Sequence, residues 1–213
     1  MSIFRSPRVH RVIVSLVVFF LAASNTDISF CQSTSASSSP PPMTLKMTAH
    51  VEFLDAGARE PMIVEHPDGT LFVSGYMRTP QTIPKLWKSS DRGATWSAVN
   101  VGTEADGALG NSDVDLAVAR DGTLFFVTLG FDRKTGQGTH VAIGVSGDIG
   151  KTWRWTMLTK QPLCDRPWVA VTPDGTAHAI WSEGSGVYHS MSQNRGATWS
   201  PAQRSIKKAV PAT

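Results

Sequence analysis

The chain has 213 residues, of which 41% are hydrophobic and 17% are charged, and its formal net charge is +3. Three of the positive charges, Arg5, Arg8 and Arg11, belong to the first 24 residues, which contain no Asp or Glu, so the rest of the chain is neutral overall. A basic stripe is the minimum electrostatic signature of nucleic-acid binding, and its absence excludes nucleic acid as a predicted partner.

The N-terminal segment has the pattern of an export signal. The three arginines precede a twelve-residue apolar run from Val12 to Ala23, and Ser24 follows it. A basic start, a short apolar run and small residues at its end are typical of a secretory signal peptide, whereas a helix that spans a bilayer needs about 20 apolar residues. We therefore predict that residues 1–24 are a signal peptide, that the protein is secreted (periplasmic or extracellular), and that no membrane partner remains after cleavage. A membrane anchor is the alternative.

A polar segment separates this signal from the rest of the chain. Residues 25–46 include the run from Ser33 to Pro42, which contains only serine, threonine, alanine and proline. Such a composition cannot form a core, so we predict a Ser/Pro-rich linker followed by a folded region at residues 47–213. Cys31 lies in this linker segment and Cys164 in the folded region. Export would permit a disulfide bond between them, and the sequence leaves open whether they pair.

An eight-residue pattern occurs three times in the folded region, at Ser89–Trp96, Ser146–Trp153 and Ser192–Trp199. It reduces to Ser-x-Asp/Asn-x-Gly-x-Thr-Trp. Serine hydroxyls and Asp or Asn side chains bond nearby backbone amides, glycine supplies a positive φ, and Thr-Trp favours a following strand. Each copy therefore predicts a tight turn between two strands. The residues that build these turns are Ser89, Asp91, Gly93, Thr95, Trp96, Ser146, Asp148, Gly150, Thr152, Trp153, Ser192, Asn194, Gly196, Thr198 and Trp199.

A second pattern with a regular period is interleaved with the first. Asp-Gly-Thr occurs at residues 68–70, 121–123 and 174–176, a spacing of 53 residues, and apolar runs flank each copy. Asp-Gly between apolar runs is the strongest short signal for a β-hairpin. With strands on both sides of each turn, every unit of about 50 residues has four antiparallel strands, as does one blade of a β-propeller.

The eight-residue pattern resembles the Asp box, or BNR repeat, of sialidases and related secreted β-propellers, and with its flanks the resemblance covers roughly residues 58–205. It implies an all-β fold: a β-propeller of the sialidase type with three four-stranded antiparallel blades at about 58–105, 111–160 and 164–208. Sialidase-like propellers have six blades, so three blades form a partial propeller. We interpret the chain as the N-terminal part of a longer propeller. Self-association through the two open blade faces is the alternative.

In such a propeller the four strands of each blade run in order from the central axis outward. Both kinds of turn then lie on one face of the propeller. The other face holds the beginnings of the innermost strands and the loops and connections beside them, which we call the strand openings. The acids of the eight-residue turns are therefore interpreted as turn builders. Charged residues at the strand openings are candidates for a ligand site, namely Arg59, Asp113, Asp165, Arg166 and Glu183. Glu60, Asp113 and Arg166 each precede the Asp of an Asp-Gly turn by eight residues, which gives them equivalent places around the axis.

The resemblance also suggests which residues to compare with a catalytic site. Sialidases hold the substrate carboxylate with three arginines, use a Tyr activated by a Glu as nucleophile, and employ an Asp as acid/base. Arg59, in Arg59-Glu60-Pro61, is similar to the Arg of an Arg-Ile-Pro motif in that family, so Arg59 is a candidate for carboxylate binding. The sequence contains two tyrosines, Tyr76 and Tyr188, and it favours a packing role for both. The catalytic residues are unknown.

Other chemistries have little support in the sequence. The six histidines have no ligand spacing such as His-x-x-x-His, and neither a phosphate-binding loop nor a Gly-x-Ser-x-Gly elbow occurs, so we predict no metal and no cofactor. The sequence favours a glycan-related or surface-interaction module with glycans or glycoproteins as partners. One alternative is an exo-sialidase or another glycoside hydrolase whose remaining blades are missing. The second is a structural scaffold without a ligand.

Overall fold

The computed structural model describes residues 51, 54, 57–77 and 83–206. All of them belong to one compact unit, Thr48–Thr213. The predicted signal peptide, the Ser/Pro-rich linker and Cys31 lie outside the described residues. Across the described part of the chain, no helix is long and apolar enough to cross a membrane.

The described residues form twelve strands in three four-stranded antiparallel blades, which confirms the predicted all-β partial propeller. Blade 1 contains β1 (Arg59–Glu65), β2 (Leu71–Tyr76), β3 (Lys85–Ser89) and β4 (Ser97–Ala98); blade 2 contains β5 (Val114–Val118), β6 (Leu124–Asp132), β7 (Gln137–Ser146) and β8 (Arg154–Thr159); blade 3 contains β9 (Cys164–Val171), β10 (Ala177–Glu183), β11 (Gly186–Ser192) and β12 (Gln203–Ile206). Within each blade the strands pair in chain order. A short 3₁₀ helix, Glu104–Asp106, lies between blades 1 and 2. Gly138 also pairs with Cys164, which joins the sheets of blades 2 and 3.

Blade 2 lies between the other two blades and has apolar residues on both faces. Successive side chains of a strand point to opposite faces, so Phe126 packs with Phe72 of blade 1, whereas Phe125 packs with Ala179 of blade 3. All four side chains are completely buried. Burial of apolar surface stabilises a fold by about 25 cal/mol per Å², so these two interfaces hold the three blades together.

Blades 1 and 3 each have one face without a neighbouring blade in the described part of the chain. Ile63 of β1 is 62% exposed, and Trp168 and Ile180 of blade 3 are 54% and 41% exposed. Exposed apolar surface can mark an interaction site when it is contiguous and large. Self-association through these faces stays a prediction.

The Thr-Trp pair that ends each eight-residue turn favours a following strand, but the three outermost strands begin at different distances after it. Strands β4 and β8 begin one residue later, at Ser97 and Arg154, but β12 begins only at Gln203. The Ser200 N–H donates to a backbone carbonyl of β11 (2.8 Å), and the next residue, Pro201, has no N–H to donate. Regular pairing with β11 therefore begins after the proline.

Candidate functional site

The first eight-residue turn, residues 89–96, uses its own side chains as hydrogen-bond partners. The Gly93 N–H donates to Ser89 Oγ (2.8 Å), and the Ser89 hydroxyl donates to Asp91 Oδ1 (2.7 Å). Thr95 donates to the Asp91 carboxylate from its N–H (2.8 Å) and its hydroxyl (2.6 Å). The Trp96 indole N–H donates to the Gly93 carbonyl (3.2 Å). The polar groups of this turn therefore stabilise its own backbone.

The second turn repeats the whole network, and the third repeats its serine, asparagine and threonine bonds but not the bond from the tryptophan indole. Asp148 accepts the Thr152 N–H (2.8 Å) and hydroxyl (2.6 Å). Asn194 accepts the Thr198 N–H (2.9 Å) and donates its own amide to the Thr198 hydroxyl (2.8 Å). Hydrogen bonds from the threonine side chains, and then from the threonine backbone, lower the pKa of Asp91 and Asp148 to about 2 by stabilising the charged carboxylates.

The three Asp-Gly turns lie on the same face and also share one geometry. Gly69, Gly122 and Gly175 have φ values of 88°, 89° and 87°, a left-handed conformation that glycine adopts without steric cost. In each turn the following threonine N–H donates to the Asp carboxylate. Asp121 also forms an ion pair with Arg195 of the third eight-residue turn, at 2.8 Å. We call the surface formed by the six turns the turn face.

The opposite ends of the innermost strands form a second surface, which we call the mouth. Strand β5 adjoins both β1 and β9, so the strand openings of three blades lie side by side. The residues of the mouth are Arg59, Glu60, Tyr76, Asp113, Asp165 and Arg166. Four of the five residues that the sequence nominates for a ligand site are in this set, and Glu183 is the exception.

In blade 1 a β-bulge brings an acid and a tyrosine together. The pairing of β1 with β2 shifts register between Arg59 and Met62, and Glu60 in this bulge has a φ of 49°. Positive φ in a non-glycine residue before a proline costs on the order of 1–3 kcal/mol, and such strain clusters at functional sites. Tyr76, the cross-strand partner of Arg59, donates its hydroxyl to Glu60 Oε1 at 3.1 Å.

Blade 3 has a bulge at the equivalent place. The register between β9 and β10 shifts next to Arg166, whose φ is 47° and which also precedes a proline. Its Nε lies 3.8 Å from Asp165 Oδ2, and the two side chains are 59% and 53% exposed. Because both side chains are exposed, both charges are accessible to a ligand. An exposed ion pair also contributes little to stability.

Asp113, in the connection before β5, is the half-buried carboxyl of the mouth. Burial raises its pKa above the ordinary value of 3.8, and the negative charges of Glu60 and Asp165 raise it further. A hydrogen bond from the Ser112 hydroxyl (3.3 Å) and the charge of Arg166 act in the opposite direction. A carboxyl with a raised pKa beside other acids is a candidate for proton transfer or ligand binding.

The same neighbours act on the phenol of Tyr76. Its pKa is raised, first by burial and then by the charges of Glu60 and Asp113, while Arg59 lowers it. The phenol is therefore protonated at neutral pH and donates a hydrogen bond. The sequence favours a packing role for Tyr76, but the structure adds its hydroxyl to the mouth.

Glu183 and Tyr188 have partners inside blade 3. Glu183 Oε2 accepts hydrogen bonds from the Trp181 indole N–H (3.2 Å) and from the Thr159 hydroxyl of β8 (3.2 Å). Tyr188 stacks on Trp181 with ring centroids 6.4 Å apart, in agreement with the packing role predicted for it. Glu183 therefore joins blade 3 to the outermost strand of blade 2, in addition to being a predicted ligand candidate.

Asp115 joins blades 2 and 3 although it lies only two residues from Asp113. Its side chain is buried. One carboxylate oxygen accepts the Val169 N–H of β9 (2.9 Å), and the other accepts the Leu116 N–H (2.9 Å). Burial raises its pKa, and the two backbone bonds partly offset that rise. Both oxygens are used in structural bonds.

A cavity of about 570 Å³ adjoins the mouth at blade 3. Asp165 and Arg166 line it together with Trp168, Ile180 and Trp181. A largely apolar lining with a small number of polar groups is typical of sites for small molecules. The cavity therefore lies next to charged groups of the mouth and has the exposed indole of Trp168 in its lining.

The described residues contain no group of three or more His, Cys, Asp or Glu side chains that could hold a metal ion. The Cys164 thiol is buried, and it donates to the Gln161 carbonyl at 2.8 Å. Burial, and then the charge of Glu183, raise its pKa to about 12, so it is protonated and inert at neutral pH.

The fold is similar to that of several solved structures. An α-L-arabinanase from Penicillium chrysogenum in complex with arabinobiose has a TM-score of 0.54 at 16% identity, over 69% of this chain and 49% of its own. An α-L-arabinofuranosidase from Fusarium graminearum has a TM-score of 0.53 at 15% identity, over 70% and 49%. A protein of unknown function from Dyadobacter fermentans has a TM-score of 0.53 at 16% identity, over 70% and 50%.

This chain thus spans about half the length of the structures it resembles. No protein-family model matches the chain, and no curated protein matches its sequence. At such low identity the similarity shows a fold shared with glycosidases and does not single out one family.

Proposed function

We propose that the mouth binds a glycan and that the chain is the glycan-binding part of a secreted propeller of the Asp-box type. The observation that carries this proposal is the convergence of Tyr76, Glu60 and Asp113 with Asp165 and Arg166 at the strand openings of three successive blades.

The chemical groups of the mouth are those that sugar hydroxyls need. A sugar hydroxyl donates one hydrogen bond and accepts others, the carboxylates of Glu60 and Asp165 accept, and the guanidinium of Arg166 donates. Bonds to charged groups are about twice as strong as bonds between neutral groups. The exposed indole of Trp168, beside Arg166 in the cavity, offers an apolar surface for the C–H side of a sugar ring.

Arabinobiose, the ligand in the Penicillium structure, is a suitable first probe, and a sialoside is the second because the eight-residue turns resemble the Asp box. Binding of both would be measured by calorimetry after a glycan array, with Tyr76→Phe and Asp113→Asn as mouth variants. Lys151→Ala, an exposed residue of the turn face, is the matched control. We expect the two mouth variants to weaken binding at least about tenfold, or 1.4 kcal/mol, with no change in Lys151→Ala. Wild-type protein that binds no glycan, or equal binding by all four proteins, would contradict the proposal.

The second candidate function is glycoside hydrolysis, and the hydrogen bond from Tyr76 to Glu60 favours it. A carboxylate that accepts a hydrogen bond from a phenol can act as its base, and Asp113, with its raised pKa, is the candidate acid. Fluorogenic sialosides and arabinofuranosides would test it. Turnover by the wild-type protein that is abolished in Tyr76→Phe would support hydrolysis. Binding without turnover would support a glycan-binding module that is not an enzyme. A scaffold without a ligand predicts neither.

The proposal includes export, which rests on the pattern of residues 1–24. The test is N-terminal sequencing of protein recovered from the medium or the periplasm. We expect the recovered chain to begin close to residue 25. Retention of residues 1–24 in a membrane fraction would favour the membrane anchor.

A further inference from the structure

We propose that His178, His189 and Met191 form a binding site for copper(I) on the outward face of blade 3. This site lies on β10 and β11 and does not depend on a function for the mouth. Two neighbouring imidazoles and a thioether are the observation that carries it.

The three side chains lie on the face of blade 3 that is opposite to blade 2. Side chains of β10 alternate, and Ala177, Ala179 and Trp181 pack in the core shared with blade 2. His178 and Ile180 therefore point to the other side, and Ile180 is 41% exposed there. Because β11 is antiparallel to β10, the direct partners His189 (of Ile180) and Met191 (of His178) share that side.

The two histidines already face each other through ring nitrogens. His178 Nδ1 lies 3.0 Å from His189 Nε2, the ring planes differ by 16°, and the ring centroids are 5.2 Å apart. One proton shared between these nitrogens accounts for the hydrogen bond. A metal ion in place of that proton would need the nitrogens to separate to about 3.5–4 Å, since metal–nitrogen bonds are about 2.0 Å long. The nitrogens would therefore have to move apart by about 0.5–1 Å.

Met191 supplies the third ligand and determines the choice of metal. It is the direct cross-strand partner of His178 and follows His189 by two residues, so its side chain is a neighbour of both imidazoles on one surface. It is 36% exposed. Thioether sulfur is a soft ligand that favours copper(I), which imidazole also binds.

Zinc fits this arrangement less well. Structural zinc sites in proteins have four ligands, drawn from Cys, His, Asp and Glu, and the described residues contain no cluster of even three such groups. Copper(I) needs only the two imidazoles and the thioether.

Thiols are the competing ligands for copper(I), and the test has to remove them. The Cys164 thiol is buried and protonated, so it competes little. Cys31 lies outside the described residues, so the experiment uses the full chain with Cys31→Ser. Copper(I) alone, under anaerobic conditions with a reductant, is titrated in competition with a chromophoric chelator, and silver(I) serves as a redox-inert replacement.

We expect one copper(I) ion per chain in the Cys31→Ser protein. Loss of an outer-shell partner of a metal site costs about 10–100-fold in affinity, so Met191→Leu, which removes a direct ligand, is expected to weaken binding at least about tenfold. His189→Gln should weaken it further. Met157→Leu, in β8, is the control and should bind as the parent does.

X-ray absorption of the copper complex provides a readout that a change in stability would not alter. A sulfur ligand is expected in the parent and in Met157→Leu and should be missing in Met191→Leu. Met191→Leu conserves volume at a partly exposed position and should fold normally, as circular dichroism would verify. The proposal is overturned if the parent binds no more tightly than His178→Gln/His189→Gln, or if Met191→Leu retains both the affinity and the sulfur signal.

Discussion

The turn face and the mouth belong to the same three blades but use charged residues differently. On the turn face the blades repeat the same residue types, and Asp91 and Asp148 accept hydrogen bonds from inside their own turns. At the mouth the equivalent positions hold Glu60, Asp113 and Arg166, which are two acids and a base. These side chains act on one another across the blades.

This difference separates structural residues from candidate functional residues. Every blade needs its turns, whatever the protein binds, so a residue that recurs in all three turns reports how a blade is built. The repeat of the blades does not account for the change from acid to base among Glu60, Asp113 and Arg166. We therefore expect substitutions on the turn face to change stability and substitutions at the mouth to change binding.

The largest effect is expected at Asp115, which is bonded like a turn residue although it lies next to the mouth. Asp115→Ala removes the acceptor of two backbone N–H groups, those of Val169 and Leu116. A buried donor without a partner costs about 1–3 kcal/mol, so the free energy of unfolding should fall by about 2–4 kcal/mol in urea denaturation. Asp113→Ala is the matched control and should cost far less. Equal losses in the two variants would contradict the distinction between these acids.

Asp148 should show a smaller effect, which depends on the replacement. Asp148→Ala removes the acceptor of three hydrogen bonds, one from Ser146 and two from Thr152. We expect a loss of about 1–2 kcal/mol on thermal unfolding, since an average hydrogen bond contributes about 1 kcal/mol and the two bonds from Thr152 are exposed. Asp148→Asn should lose less, because Asn194 makes the corresponding bonds in the third turn. An Asn variant as unstable as the Ala variant would show that the charge matters more than the bonds.

The same carboxylates predict a dependence of stability on pH. In the folded state the pKa of Asp91 and Asp148 is about 2, below the ordinary value of 3.8. Their contribution is therefore fully present above about pH 4 and is lost as the pH falls toward 2. The double variant Asp91→Asn/Asp148→Asn should lose less stability than wild type between pH 4 and pH 2. The free energy of unfolding of both proteins would be measured as a function of pH. Parallel curves for the two proteins would mean that these two acids do not determine stability at low pH.

The turn tryptophans allow a finer comparison within the turn face. The Trp153 indole N–H donates to the Gly150 carbonyl at 3.2 Å, whereas the buried Trp199 indole N–H has no hydrogen-bond partner among the described residues. Trp153→Phe should therefore cost about 1 kcal/mol more than Trp199→Phe. The two midpoints of thermal unfolding would be measured side by side. A larger loss at Trp199 would reverse this ranking.

Asp113 should give the smallest change in stability, and the change should be a gain. Its folded-state pKa lies above the ordinary value, so the charged carboxylate disfavours the fold at neutral pH. Asp113→Asn removes that charge and should raise the unfolding free energy slightly at pH 7. The gain should vanish as the pH falls through the raised pKa, because the wild-type carboxyl then becomes neutral as well. Lower stability of Asp113→Asn at pH 7 would mean that the carboxylate is structural.

The sequence predicts the blades well because their signals are local. Asp-Gly turns and the Ser-x-Asp/Asn-x-Gly-x-Thr-Trp pattern specify backbone conformation within a few residues, and apolar runs on either side supply the strands. The start of β12 is the exception. There a hydrogen bond from Ser200 and a proline after it delay the pairing, and the tryptophan alone does not predict this.

The sequence predicts the charged residues of the mouth but neither Tyr76 nor the contacts among these side chains. Spacing from the Asp-Gly turns places Glu60, Asp113 and Arg166 at equivalent positions, whereas the bond from Tyr76 to Glu60 depends on a bulge and on cross-strand register. Knowing that Tyr76 ends the second strand would have placed its hydroxyl at this end of the blade.

The cluster of His178, His189 and Met191 was missed for a related reason. A search for ligand spacing along the chain assumes that two histidines lie on one helix or loop. Here His178 and His189 are 11 residues apart and belong to neighbouring strands. Only the register of β10 against β11 brings them together.

The most direct test of this account measures glycan binding and unfolding free energy on the same two variants, Asp113→Ala and Asp148→Ala. We predict that Asp113→Ala loses glycan binding and keeps its stability, whereas Asp148→Ala loses stability and, when folded, binds with wild-type affinity. The opposite assignment, or a loss of binding and stability together in both variants, would contradict the separation of the mouth from the turn face.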